Sequence, residues 1–539
     1  MRAATDKELE NREFDLIVIG GGITGAATAR DAALRGLSVL LVEKDDFAAG
    51  TSSRSSKLIH GGLRYLQTFQ FGLVAESLQE RERMLRIAPH LTRIRPFLYL
   101  LYRGYPEGPV LLNLGLTFYD AASGSWFKRR HSMLNARKVL EREPHLAAEG
   151  LRGAGLFFDV QTDDARLTLQ TVKGAAEAGA RVLNHAAVTG LITENGKCRG
   201  VVITRQFSGE SISVRAKGVL NATGPWSDSI RRLGAASIPN SLRPTKGVHI
   251  VVRKSDFPLG TAIYLRSPDD NRLVWPIPSL EDDVVYIGTT DTDFMGDPDE
   301  VIPTQEDVRY LLRAANCAIP TARLTESHVV GSWAGLRPLV APNAGLSTSA
   351  TPREHSIAVD ENGMLSITGG KLTSNRAMAK HLVDTAVSSL GLAKVARSTT
   401  KKVRLPGADG DAVAGILTEA RAAGVPEKIR QSWVRRYGSE ASAVLEYWRA
   451  DAHNREIVGA RELTLAELIY LVEHEMVQSL TDLLVRRTSA FFWEVNGGLD
   501  GIERIADELA SRVPWSPVRR QQEIDGYRAL VEQHRPGSH

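Results

Sequence analysis

FDLIVIGGGITGAATARDAALRGLSVLLVE, residues 14–43, decides the fold. An apolar run ends in a glycine turn, an alanine-rich helical stretch follows, and a second apolar run closes on an acidic residue. The pattern spells one strand–helix–strand unit. Gly20, Gly22 and Gly25 have the spacing G-x-G-x-x-G where strand gives way to helix. The first glycine permits the tight turn, the second lets a diphosphate reach the backbone, and the third lets the helix lie close on the strand. The positive end of the helix then faces the phosphates. Glu43 is placed to accept hydrogen bonds from an adenosine ribose and to repel a 2′-phosphate, so a dinucleotide other than NADP is expected.

Working outward, NATGPWSD at 221–228 and SITGGKLTSNR at 366–376 both sit at strand ends. A second A-T-G turn and a late glycine turn close on the cofactor in two-dinucleotide-binding flavoproteins, which favours FAD over NAD. No histidyl-attachment motif is visible, so non-covalent FAD is expected. Ala222, Thr223, Gly224 and Trp226 of the first turn and Gly370, Lys371, Leu372 and Thr373 of the second are the candidate contacts. Short apolar strands are expected at 181–193, 198–205, 212–220, 247–252, 273–277 and 284–288, the later ones alternating as antiparallel strands do. A helix over 162–179 would take Thr162 as its N-cap, followed by two aspartates at the positive end of the dipole.

The fold expected is α/β, with an FAD-binding Rossmann-like domain interleaved with an α+β cap of mostly antiparallel strands. Residues 1–75, 155–240 and 355–400 are assigned to the first, and 76–154 and 241–354 to the second. Beyond KKVRLPGADGD at 401–411 the spacing turns helical, and 408–539 is expected to form an all-α C-terminal domain.

A chain of 539 residues has room for two or three cores. A net charge of +4, spread along the chain, gives nucleic-acid binding no support. The two cysteines, Cys198 and Cys317, lie far apart and suggest neither a disulfide framework nor a zinc site. His60 and His474 have no second ligand at metal spacing, and no metal is assigned. The polar opening MRAATDKELENRE is unlike a secretory signal, and no apolar stretch approaches the ~20 residues of a spanning helix, so a cytoplasmic protein is expected. Residues 91–131 set apolar and aromatic groups between Arg93, Arg95, Arg103 and the cluster Lys128, Arg129, Arg130. That composition suits either a peripheral membrane contact or an ordinary core helix pair.

Beyond the nucleotide signature GGGITGAATARDAALRG, the stretches TSSRSSKLIHGGLRYL (51–66), GSWAGLRPL (331–339), GGKLTSNRAMA (369–379) and LAELIYLVEHEMVQSLTDLLVRRT carry a resemblance across nearly the whole chain. They resemble the FAD-dependent glycerol-3-phosphate dehydrogenases of aerobic bacteria. The resemblance implies oxidation of sn-glycerol 3-phosphate to dihydroxyacetone phosphate, with hydride passing from carbon 2 to flavin N5 and electrons leaving to a membrane quinone. It also implies attachment to the inner face of the cell membrane and a homodimer. By position, Arg64, Tyr65, Arg353 and Lys371 would hold the phosphate. His249 would accept the hydroxyl proton and Arg337 would stabilise the developing oxyanion, since an imidazole titrates near neutrality and a guanidinium does not.

Further cofactor contacts implied are Ile23, Thr24, Lys44, Thr51 and Ser52, then Ser56, Lys57, Leu58, Ile59, His60, Gly61 and Gly62, with Val188 and Gly335. Two positions depart from the family pattern: Ala27 replaces a usual glycine, and Asn375 a usual tyrosine. Three other activities compete with this one: an oxidase passing electrons to oxygen, an amine or D-amino-acid oxidase, and a non-enzymatic flavin sensor.

Overall fold

The computed structural model describes the chain except residues 1–5, 125–128, 236, 237, 239, 281, 341–354 and 536–539. Its first sheet runs in the order His355–Val359, Leu365–Gly369, Ser211–Asn221, Glu13–Ile19, Val39–Val42, Arg181–Leu183. The five strands from Leu365–Gly369 onward pair in parallel. Parallel strands are covered on both faces, which is why Leu16, Ile17, Val18, Leu40 and Leu41 are all buried rather than alternating. Helix Ile23–Leu34 packs between helices Asp164–Glu177 and Asn375–Ser389 on one face. Strands Ala186–Glu194 and Lys197–Arg205 extend the other end of Ser211–Asn221 as an antiparallel meander.

The second sheet is antiparallel except where Ala262–Arg266 lies parallel to Thr92–Tyr102. Its longest pair joins Leu242–Arg253 to Val329–Val340. Helices from Gly410 to Gln533, with one two-strand ribbon at Ile457–Thr464, complete the molecule.

Several boundaries differ from expectation. The run at 181–193 is two strands, broken at Asn184 and at His185, whose φ is +51°. Residues 155–162, assigned to the FAD-binding part, belong to strand Leu151–Thr162 of the second sheet. Thr162 ends that strand, and the helix after it is capped by Asp163, whose side chain accepts from the Arg166 amide. The stretch 91–131 is neither a helix pair nor wholly surface. Thr92–Tyr102 is an interior strand with Phe97, Leu98 and Leu100 fully buried, because Leu151–Thr162 and Ala262–Arg266 flank it. Helix Pro109–Ser123 presents Val110, Leu111 and Leu114 to solvent, and Lys128 lies outside the described residues.

The C-terminal helices meet the first sheet through buried ion pairs. Arg166 Nη2 donates to Glu475 Oε1 at 2.8 Å, Arg486 Nε to Asp46 Oδ2 at 2.7 Å, and Arg487 Nη2 to Asp46 Oδ1 at 3.0 Å. Asp46, His185 and Asp482 converge within 4.8 Å, and Arg486 and Arg487 supply their counter-charge. Burial would lower the His185 imidazole, but Asp482 beside it overrides that and raises it to about 9.

Candidate active site

A cavity of about 1280 Å³ opens at the C-terminal ends of the parallel strands, where ligands of such sheets bind. Gly20, Gly22, Ile23 and Thr24 form its floor, Glu43, Lys44 and Val188 one wall, and Ala222, Thr223, Gly224 and Trp226 another. Gly20 has φ +104°, and a Cβ there would lie 2.8 Å from the Ala222 carbonyl oxygen. At Gly25 a Cβ would lie 1.8 Å from the Gly20 carbonyl oxygen, so the turn closes only with glycine in both places. The Glu43 carboxylate accepts from the amides of Gly21 at 2.6 Å and Asp45 at 3.0 Å. Burial raises it to about 7, against the pull of those two amides. Lys44 and the Trp226 indole both bond Asp299 and cover the same wall. A pinched turn, an open helix N-terminus and a ribose-facing carboxylate fit an FAD.

A second cavity, of about 190 Å³, lies beside it. Both share Ile23, Thr51, Ser52, Pro338 and Gly370–Leu372 as lining. Ser52 Oγ accepts from the Ile23 amide at 2.9 Å, and Thr51 Oγ1 donates to the Leu336 carbonyl at 2.7 Å, pinning this partition to both sheets. Ser56, Leu58, His60, Gly335 and Thr373 line the smaller cavity alone, together with Tyr65, His249 and Arg337.

His249 and Arg337 come from the long antiparallel pair. The His249 ring stacks on Trp333 with centroids 4.9 Å apart, and its Nε2 lies 2.9 Å from Ser56 Oγ. Burial, then the charges of Arg337 and Lys57, push this imidazole well below its ordinary value, so it is neutral at pH 7. Arg337 donates to the Thr289 hydroxyl at 3.0 Å and the Thr290 carbonyl at 3.1 Å, with Asp291 at 3.1 Å. Two glycines that the sequence reading passed over make room for them. A Cβ at Gly247 would meet the Arg337 guanidinium at 2.3 Å, and one at Gly288 would meet the His249 ring at 2.0 Å. The available signal was a glycine inside an otherwise apolar strand, which marks close approach.

Lys371 Nζ lies 3.2 Å from Ser77 Oγ and 4.2 Å above the Tyr65 ring. Gly62, at φ +77°, admits that ring, and Gly61 donates to the Tyr119 hydroxyl at 2.8 Å. Ile59 is buried in a core cluster with Ile23. Lys57 turns away from both cavities: its ammonium pairs with buried Asp164 at 2.6 Å and lies 4.3 Å above Phe492. Asn375 bonds the Leu372 carbonyl at 2.6 Å, so a helix-start amide occupies the position of the family's tyrosine. The Arg64 side chain and all of Arg353 lie outside the described residues.

Two partial matches and several whole-chain likenesses bear on this geometry. Residues 15–376 match the family described as FAD dependent oxidoreductase, and residues 398–520 match the C-terminal domain of alpha-glycerophosphate oxidase. The chain belongs to the FAD-dependent oxidoreductases, with FAD as its cofactor. An aerobic glycerol-3-phosphate dehydrogenase of Staphylococcus saprophyticus is 36% identical over 550 residues, covering 100% of this chain and 98% of that one. One from Staphylococcus aureus is 36% identical over 539 residues, covering 98% and 95%. The FAD-complexed structure of the glycerol-3-phosphate dehydrogenase from Bacillus halodurans superposes with a TM-score of 0.82 at 33% identity, covering 98% and 96%. Within the oxidoreductases, therefore, the chain is a member of the aerobic glycerol-3-phosphate dehydrogenase family. No helix among the described residues is long and apolar enough to cross a membrane.

Proposed function

We propose that the enzyme oxidises sn-glycerol 3-phosphate to dihydroxyacetone phosphate at the smaller cavity and delivers the electrons to a membrane quinone. The observation that carries this reading is the convergence of a neutral imidazole, a braced guanidinium and an ammonium on one cavity that adjoins the cofactor cavity. FAD held in the larger cavity would supply the two-electron acceptor for the hydride of carbon 2. Lys371 and Tyr65, with Arg64 and Arg353 as the family pattern implies, grip the dianionic phosphate at one end. His249 accepts the hydroxyl proton at a ring nitrogen as the hydride leaves, so that a ketone forms and charge balances. Arg337, already braced by Thr289, Thr290 and Asp291, stabilises the oxygen as negative charge develops on it.

Helix Pro109–Ser123 supports a peripheral membrane face. Val110, Leu111 and Leu114 are exposed on it, and Phe69 and Phe71 are exposed next to it, with Phe71 edge-on to Phe118 at 5.1 Å. Such clustered apolar groups suit insertion between lipid headgroups. A homodimer completes the reading and is checked by sedimentation.

The decisive experiment mixes purified holoenzyme anaerobically with glycerol 3-phosphate. The yellow flavin is expected to bleach with glycerol 3-phosphate and stay oxidised with amino acids. Persistent colour would dispose of the substrate assignment. Reoxidation by a quinone analogue without peroxide supports the dehydrogenase; stoichiometric hydrogen peroxide would make it an oxidase.

A further inference from the structure

The partition between the two cavities carries one residue that neither the nucleotide signature nor the substrate groups account for. Arg54 follows the short helical turn Thr51–Ser53 and lines both cavities. Its guanidinium makes no hydrogen bond or ion pair with any described residue, and only distant charges act on it. Three other cations on the larger cavity are matched by carboxylates: Lys44 by Asp299, Arg486 by Asp46 and Asp482, and Arg519 by Glu523 at 3.7 Å. Burial, then the neighbouring charge of Arg486, depress Arg54 to about 10. A guanidinium left without a carboxylate on the lining of two cavities is poised to meet an anionic ligand.

We infer that Arg54 is the counter-ion of the cofactor's diphosphate. The segment that bears it is anchored at the mouth of helix Ile23–Leu34, where Ser52 Oγ takes the Ile23 amide. Its backbone is wedged against Gly335, whose added Cβ would lie 2.7 Å from the Arg54 carbonyl oxygen. The charges that reach the guanidinium are Arg486, Asp45 and Asp299, all on the adenosine side of the cavity, rather than Arg337 or His249 on the substrate side. Arg54 thus stands where the two cavities meet, beside the turn that would receive the diphosphate. A helix N-terminus offers roughly half an elementary charge against the two of a diphosphate. A guanidinium adds a full charge and two parallel N–H donors. The inference rests on placing the diphosphate at the Gly20–Gly25 turn.

Apoprotein titrated with FAD and with riboflavin, which lacks phosphate, tests this by flavin fluorescence. In Arg54→Gln the FAD dissociation constant is expected to rise about 10- to 100-fold, while that of riboflavin stays within twofold. Arg54→Met, which removes the charge and retains the aliphatic bulk, guards against a folding failure. FAD is expected to raise its Tm less than it raises that of the wild type. An unchanged FAD affinity, or equal losses for FAD and riboflavin, would overturn the assignment. A shifted flavin reduction potential at unchanged FAD affinity would move Arg54 to the isoalloxazine ring, and likewise overturn it. Wild-type apoprotein that does not prefer FAD to riboflavin would refute the diphosphate placement and this assignment with it, whatever the substrate proves to be.

Discussion

The junction between the parallel sheet and the C-terminal helices and the partition between the two cavities both carry cations, and Arg54 sets them apart. At the junction each guanidinium has a carboxylate: Arg166 has Glu475, Arg436 has Glu467, and Arg486 and Arg487 share Asp46. At the partition Arg54 has none among the described residues. The junction charges are matched within the fold, whereas Arg54 waits for a ligand to match it. Buried pairs are mutually dependent, so losing one partner strands the other.

The largest effect is expected at the junction. Glu475→Gln should cost about 3–5 kcal/mol in denaturant unfolding, because Arg166 is left buried without its partner. Burial would raise the Glu475 carboxyl, but Arg166 overrides it and holds it at about 2. Its folded value is depressed, so the stability it contributes is present above pH 4.5 and is lost as pH falls toward about 2. Acid titration of the wild type and the variant should converge below that range. A variant as stable as wild type would erase the contrast between the two regions.

Arg337→Ala comes next, with kcat/KM expected to fall about 10²- to 10³-fold. FAD content and Tm should hold, since the braces of Arg337 lie within one sheet. Parallel loss of flavin and turnover would make Arg337 a structural cation like those at the junction.

His185 offers a smaller, pH-dependent effect. Its folded value is raised from 6.5 to about 9, so its contribution is complete below pH 6.5 and fades as pH rises through about 9. His185→Asn should flatten the decline of Tm between those limits while leaving the acid limb alone. An unchanged alkaline slope would show that the Asp482 pairing adds no stability.

Smallest is Ser77→Ala, which removes one hydrogen bond to Lys371, ~1 kcal/mol, and should raise KM about fivefold with kcat nearly constant. A fall in kcat alone would place Lys371 nearer the chemistry than the phosphate.

The nucleotide turn was legible in the sequence because its determinants are local. Gly20 must turn at φ +104° and Gly25 must pass within touching distance of it, and both needs show in the spacing of three glycines. The motifs bearing His249, Arg337, Tyr65 and Lys371 were also readable, and the structure brings these four to one cavity. Lys57 shows where that legibility ended. It stands in the same stretch as Ser56 and Leu58, yet its left-handed backbone, at φ +54°, goes with a side chain turned to Asp164. The 92–102 strand failed in the same way, since a run of Leu, Tyr and Phe reads alike whether lipid or another strand covers it.

By itself the sequence determined that a strand must end in a glycine turn under a dinucleotide, and that antiparallel strands and a helical tail must follow. Only the tertiary structure decided which cations are spent on carboxylates and which remain for ligands. The physical reason is that counter-charge and burial come from distant residues: Asp46 meets Arg486 from 440 positions away, and Gly247 makes room for a guanidinium on another strand.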